Sequence, residues 1–509
     1  MPVSISRRAT LACLTGSAIL ASTACSSPMV SVAKAATSSD PFRLDPARYE
    51  AQTVTVDGQS IAVRAYLAVP YASKPVDAQY QIMNIYVPEA YFRGDRVGGF
   101  DARTAPVFFP NQVGGYMPGK PGTAQSPTQG PQAGKPSTIA AALLQGFVVA
   151  SPGARGRTLK DSSGAFTGKA PAAIVDLKAA VRYLRWNASV LPGDMEKIIS
   201  NGTSAGGALS ALLGTSGNSA DYEPYLRAIG AAPGRDDIFA VSAYCPITNL
   251  EQADAAHEWL FNGVNNYRAI QMSMLDFNMT RKEVAGTLTP AQISVSDALK
   301  PLFPAYVNSL QLRTPQGQRL TLDAEGKGTF RDWVAGYLQT SAQGQLDAGK
   351  DLSTYGWLSI QGGKVRSVDL DAYARYAGRM KLPPAFDALD ASSGENNLFG
   401  TSAIDNQHFT DFSETHSTAA NATRADAQVV KMMNAMRYIG SPDAKNATRW
   451  RIRHGTIDRD TSLAIPTLLA TALQNRGYAV DFALPWDVPH SGDYDLAQLF
   501  AWIRQIASH

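Results

Sequence analysis

The chain is 509 residues long with 45% hydrophobic and 17% charged residues, so it can bury a large core and exceeds the usual size of one domain. A net charge of +3 over that length supplies no basic tail or stripe that would track a phosphate backbone, which argues against nucleic acid as a partner. Of three cysteines, Cys13 and Cys25 fall near the N-terminus, so a product cut after them keeps Cys245 alone and has neither a disulfide framework nor a cysteine-based metal site.

Met1 to Arg8 ends in the pair Arg7-Arg8, and Ala9 to Ala21 follow as an apolar run too short to span a bilayer, the pattern of an export signal. Ser6-Arg7-Arg8-Ala9-Thr10-Leu11 fits a twin-arginine signal, with an ordinary secretory n-region as the alternative. Residues 1–35 are therefore expected to be signal and linker, cut near 24 or near 35. The first site, Ser22-Thr23-Ala24-Cys25, would leave a lipidated Cys25 attached to a membrane; the second, Ala33-Lys34-Ala35, would free the protein. The expected location is periplasmic, cell-surface or secreted, and the oligomeric state is not legible.

From about Pro41, short apolar runs alternate with helical patterns, as in a mostly parallel sheet covered on both faces, so the class is α/β. Strands are expected at Gln81 to Val87, Ala105 to Phe109, Phe147 to Ala150, Lys197 to Ser200, Ala240 to Cys245, Trp450 to Arg453 and Val480 to Leu484. Between them, Ile174, Leu177, Ala180, Val181 and Leu184 recur at helical spacing within Ala172 to Val190. Prolines at 118, 121, 127, 131 and 136 mark Gly114 to Pro136 as an exposed, mobile loop. From about Thr248 to Arg437 the rhythm becomes helical and irregular, with a hairpin expected at Leu310 to Thr329. The expected organisation is a core in two parts, 42–247 and 438–509, around an inserted lid domain, 248–437. Cys245 ends an apolar run and is expected to be a buried core thiol.

Gly202-Thr203-Ser204-Ala205-Gly206 fits Gly-x-Ser-x-Gly between an expected strand and the small-residue helix Ala205 to Leu213. That is the context of a nucleophile elbow in an α/β-hydrolase fold, where small neighbours let the serine sit on a cramped turn. The amide of Ala205 would stabilise a developing oxyanion, joined by an amide from the loop after an earlier strand; Gly115, following Val107-Phe108-Phe109, is the candidate. This fold orders its triad Ser, acid, His on loops at the ends of later strands. Asp458, after Trp450 to Arg453, is the expected acid, with Asp460 its rival. His490, before a terminal helix from Tyr494 to Ile506, is the expected base, with His454 its rival. His257, His408, His416 and His509 fall in the insertion or at the end and suit structural or surface roles. Such a triad requires no metal and no cofactor.

Taken together, Asn201 to Gly207, Arg451 to Asp460 and Phe482 to Asp493 resemble the bacterial tannases, as do Pro110 to Tyr116, Phe239 to Ile247 and Glu395 to Gly400. The resemblance runs from about Arg48 onward. It implies hydrolysis of galloyl esters and depsides to gallic acid, with Ser204, Asp458 and His490 as the triad. It also implies that Lys381, Glu395 and Asp460 hold the phenolic hydroxyls of the galloyl ring. One departure separates this chain from fungal tannases and their feruloyl-esterase relatives, which place cysteines beside nucleophile and base; here Thr203 and Ser491 stand there. Two alternatives stay open: the same chemistry on hydroxycinnamoyl esters, and a surface-anchored binding lipoprotein that kept a hydrolase fold.

Overall fold

The computed structural model describes residues 40–126, 136–275 and 278–508. The expected signal with Cys25, the prolines at 127 and 131, and His509 lie outside the described residues. The described residues from Pro41 onward form one compact unit.

Thirteen strands are described. Nine build one sheet: β1 (Glu50–Val56), β2 (Gln59–Pro70), β3 (Ile82–Pro88), β4 (Pro106–Pro110), β5 (Val148–Pro152), β6 (Asp194–Thr203), β7 (Ala240–Tyr244), β12 (Arg449–Arg453) and β13 (Ala479–Ala483), in the order β1-β2-β3-β5-β4-β6-β7-β12-β13. The first three pair antiparallel, β3 meets β5 antiparallel, and every pairing from β5 to β13 is parallel. All five residues of β4, β5 and β7 are buried, as central strands covered on both faces must be. Helix Ala205–Thr215 packs on β6 and β7, and helix Ala464–Asn475 on β12 and β13.

Each of the seven expected strands is present within three residues of its expected bounds, and helices Ala172–Trp186 and Leu496–Ala507 within four. The sequence reading missed the β1–β2 hairpin. Its signal is local: Asp57 and Gly58, with φ of +49° and +78°, form the left-handed pair that closes a two-residue hairpin between alternating strands.

Between β7 and β12, no described residue joins the main sheet. This segment contains helices and two separate hairpins, β8 (Asn266–Leu275) with β9 (Asn278–Thr287) and β10 (Leu358–Gln361) with β11 (Lys364–Val368). The hairpin expected at Leu310 to Thr329 shrinks to one bridge between Arg313 and Arg319, and a helix begins at Thr329. Asn308 takes over there as a brace, bonding both N–H and C=O of Leu322 through its side chain. The first part of the proline-rich loop is not free either: Gly119 and Ala154 exchange backbone hydrogen bonds, and Tyr116 and Ala124 are buried.

The inserted segment is tied to the loops that follow β12 and β13. The Tyr373 hydroxyl donates to Thr456 O at 2.7 Å, and the Ser341 hydroxyl donates to Leu484 O at 2.5 Å.

Candidate active site

Five loops meet at the carboxyl-terminal edge of the parallel strands, following β4, β6, β7, β12 and β13, and carry Gly115, Ser204, Cys245, Asp458 and His490 respectively. Ser204 is the hinge of the β6-to-helix turn, with φ +59° and ψ −123°, a conformation rare for any residue but glycine. The flanking glycines make it attainable. A Cβ at Gly202 would lie 2.2 Å from Gly206 O, and one at Gly206 would lie 2.6 Å from Asn111 Oδ1. The Asn111 amide braces the turn from behind, donating to Asn201 O at 3.2 Å, Gly206 O at 3.0 Å and Ser210 Oγ at 3.1 Å.

His490 Nδ1 and Asp458 Oδ2 lie 2.8 Å apart, and Asp458 Oδ1 accepts the Asp460 N–H at 2.9 Å. Asp458 is fully buried, whereas about a quarter of the His490 side chain, 27%, is exposed. Burial alone would raise the Asp458 carboxyl, but the rings of His454 and His490 and the Asp460 N–H outweigh it and hold the acid at about 2. For His490 burial works downward; the negative charges of Asp458 and Asp460 outweigh it and raise the imidazole well above its ordinary value.

The rivals separate by position. His454 is fully buried, its Nδ1 3.5 Å from Asp458 Oδ2, and neither of its ring nitrogens has a hydrogen-bond partner among the described residues. It packs beneath the acid. Asp460 lies 3.9 Å from His490 Nε2, on the other ring nitrogen from Asp458. Among the described residues no hydrogen bond joins Ser204 Oγ to His490, a contact that commonly tightens only as substrate binds. His490 Nε2 instead faces the Cys245 thiol at 3.9 Å. Cys245 is buried as expected, and burial pushes its thiol up, but its place beside the base was not foreseen.

The amide of Ala205 opens its helix and therefore has no acceptor within it. The amide of Gly115, whose φ is +55°, donates to no protein group among the described residues. Both amides are thus available to an oxyanion.

Lys381, Glu395 and Asp460, separated by up to 79 positions (460 − 381), are brought together, with Asp460 beside His490. Lys381 Nζ lies 3.5 Å from Asp460 Oδ1 and 3.7 Å from the centre of the Phe386 ring. Burial raises the Glu395 carboxyl, as does the charge of Asp460, with Lys381 and Arg157 opposing. Burial also works to raise Asp460, but Lys381 and His490 win and lower it. The three groups offer carboxylate acceptors around one cation.

Two buried devices that the sequence reading did not find hold this cluster. Arg379, fully buried with Glu258, gives Nη1 to Glu258 Oε1 at 2.7 Å and Nη2 to Oε2 at 2.5 Å, and also donates to Lys381 O at 3.3 Å. Asp387 accepts from Asn396 Nδ2 at 2.6 Å, lies 2.7 Å from His408 Nδ1, and accepts the Phe409 and Thr410 amides, which anchors the short helix Gly394–Leu398 bearing Glu395. His257 and His408 are accordingly buried structural residues, and His416 stacks on Phe412 at the surface.

A family model described as BD-FAE matches residues 125–303. No curated protein matches the chain. Among solved structures, the Fusobacterium nucleatum tannase is 51% identical with a TM-score of 0.87, covering 92% of this chain and 99% of that one. The Lactobacillus plantarum tannase in its orthorhombic crystal is 48% identical with a TM-score of 0.88, covering 92% of this chain and 100% of that one. A tannin acyl hydrolase in complex with ethyl gallate is 48% identical with a TM-score of 0.86, covering 92% and 99%. With half its residues identical over nearly the whole of such relatives, the chain belongs to the bacterial tannase family.

Proposed function

We propose that this protein is a serine esterase that hydrolyses galloyl esters and depsides through a galloyl-enzyme intermediate. The observation that supports the substrate assignment is the cluster of Lys381, Glu395 and Asp460, whose Asp460 lies 3.9 Å from His490 Nε2. Adjacent phenolic hydroxyls suit such a set. A ring lacking them would leave these partly buried groups without their hydroxyl partners, which supplies discrimination. A relative of this family has been crystallised with ethyl gallate, an ester of that chemistry.

Ser204 Oγ attacks the galloyl carbonyl while its proton passes to His490 Nε2. The amides of Ala205 and Gly115 hold the oxyanion, and Asp458 keeps the His490 tautomer that leaves Nε2 able to accept. The C–O bond to the alcohol breaks as His490 returns the proton to the leaving oxygen. Water, deprotonated by the same imidazole, then cleaves the galloyl-Ser204 ester to gallic acid and free enzyme. Each oxyanion donor contributes roughly 3 kcal/mol at the transition state.

Comparing methyl gallate with methyl ferulate tests the assignment. Cleavage of gallate in strong preference is expected; serine-dependent cleavage of ferulate alone would keep the triad and overturn the galloyl site. We also infer that the segment between β7 and β12 serves as a lid and that the N-terminal segment directs export. The mass of the mature N-terminus made by an exporting host tests the latter, and an uncut chain retained in the cytoplasm contradicts it.

A further inference from the structure

The loop after β4 turns back on itself at Gly114 to Met117. The Met117 N–H donates to Gly114 O at 2.9 Å, and Gly115 and Tyr116 both have φ of +55°. Two consecutive positive φ angles mark a type I′ turn, which a tyrosine occupies only where its surroundings hold it. Here the holding group is Arg157. Its Nε donates to Gly115 O at 2.9 Å, and its backbone N–H donates to Tyr116 O at 2.9 Å, so both carbonyls of the strained pair are taken by one residue.

The same guanidinium reaches the other way. Its Nη1 donates to Asn397 Oδ1 at 3.0 Å, on the helix that carries Glu395, and its Nη2 lies where a Cβ on Gly394 would approach within 3.1 Å. Arg157 also acts on the charge of Glu395. One planar side chain therefore joins the turn bearing an oxyanion amide to the helix bearing a ring acceptor.

We propose that Arg157 is a positioning residue that couples recognition of the acyl ring to activation of its carbonyl, an inference resting on the galloyl-ester reading. A ring seated against Glu395 fixes the helix, and Arg157 relays that order to the Gly115 amide. Lysine does not substitute, because an ammonium on a flexible stem lacks the rigid fork that reaches two acceptors in different directions.

The test measures kcat and KM separately for Arg157→Ala and Arg157→Lys, on methyl gallate and on 4-nitrophenyl acetate, which has no ring on its acyl side. Loss of the turn geometry should lower kcat on both esters by about 100-fold, the scale of a ~1 Å misplacement at a reacting centre. KM should rise for methyl gallate alone, added methylguanidinium should restore part of kcat in Arg157→Ala, and Arg157→Lys should stay impaired. A purely structural defect would reduce the amount of active enzyme without splitting KM by substrate and without chemical rescue. Where Arg157→Ala does not fold, Asn397→Ala cuts the far end of the bridge, along with the Asn397 Nδ2 bonds to Asp405 and Asn406, and should lower kcat/KM for methyl gallate more than for 4-nitrophenyl acetate. Kinetics within about twofold of wild type in Arg157→Ala, or equal losses on both esters in Asn397→Ala, would overturn the proposal. A wild type that cleaves 4-nitrophenyl acetate but not methyl gallate would overturn the galloyl reading and the coupling with it, whereas the Arg157→Ala loss on acetate would still report on the turn.

Discussion

Replacing Asp458 by Asn keeps the shape of the side chain and removes its charge. The folded carboxyl sits at about 2 against an ordinary 3.8, a difference (3.8 − 2) close to two units, or about 2 kcal/mol of preference for the charged form. Because the folded value is depressed, that stability is present above the unfolded value and is lost as pH falls from 3.8 toward about 2. Asp458→Asn should therefore melt below wild type near neutrality, and the gap should close as the solution is acidified through that window. Activity should suffer more. An asparagine can turn its amide toward His490 Nδ1, 2.8 Å away in the wild type, and favour the tautomer whose Nε2 carries the proton and cannot accept another. A loss of about 10⁴-fold in kcat on methyl gallate is expected. Steady-state kinetics and thermal melts over the acid range measure both effects, with Asp460→Asn alongside. If Asp458→Asn stayed within about tenfold of wild type while Asp460→Asn lost activity, the acid role would belong to Asp460 and not to Asp458.

Three further outcomes follow from the geometry. His490 must be neutral to accept a proton, so kcat/KM rises with pH through its raised value; Asp460→Asn removes a negative charge 3.9 Å from Nε2 and should move that limb to lower pH, and an unmoved limb contradicts the electrostatics. Lys381→Met should raise KM for methyl gallate by about tenfold, the scale of one lost charged hydrogen bond, while hydrolysis of methyl benzoate, which lacks the hydroxyls, changes little; equal effects on both esters would remove Lys381 from ring recognition. Gly202→Ala puts a Cβ 2.2 Å from a backbone oxygen and should lower the melting temperature by an amount equivalent to at least about 2 kcal/mol, and an unchanged melt would show that the elbow can relax.

Much of this site was legible in the sequence because its signals are local. Gly202 to Gly206 announces a strained turn on its own, and the seven expected strands are apolar runs between turn residues, so their carboxyl ends, and hence Asp458 and His490, could be placed by chain order. What stayed hidden depends on three-dimensional neighbourhood. Cys245 follows a buried strand, and nothing in that run shows that the strand ends against His490. Asn111 braces the elbow from about ninety residues away, and Arg379 and Asp387 hold Lys381 and Glu395 through buried charges that read as ordinary polar residues in an insertion. Lys381 and Glu395 themselves were legible through family resemblance alone. The Asp57-Gly58 hairpin was legible and was missed, whereas the Leu310 to Thr329 turn was overread because its braces come from Asn308 and not from a paired strand.

The most direct test of the account is the mass of the enzyme quenched in acid during turnover of methyl gallate. One added galloyl group is expected on the peptide carrying Ser204, absent in Ser204→Ala, which should still bind gallate. A galloyl group on Cys245, or turnover surviving in Ser204→Ala, would contradict it.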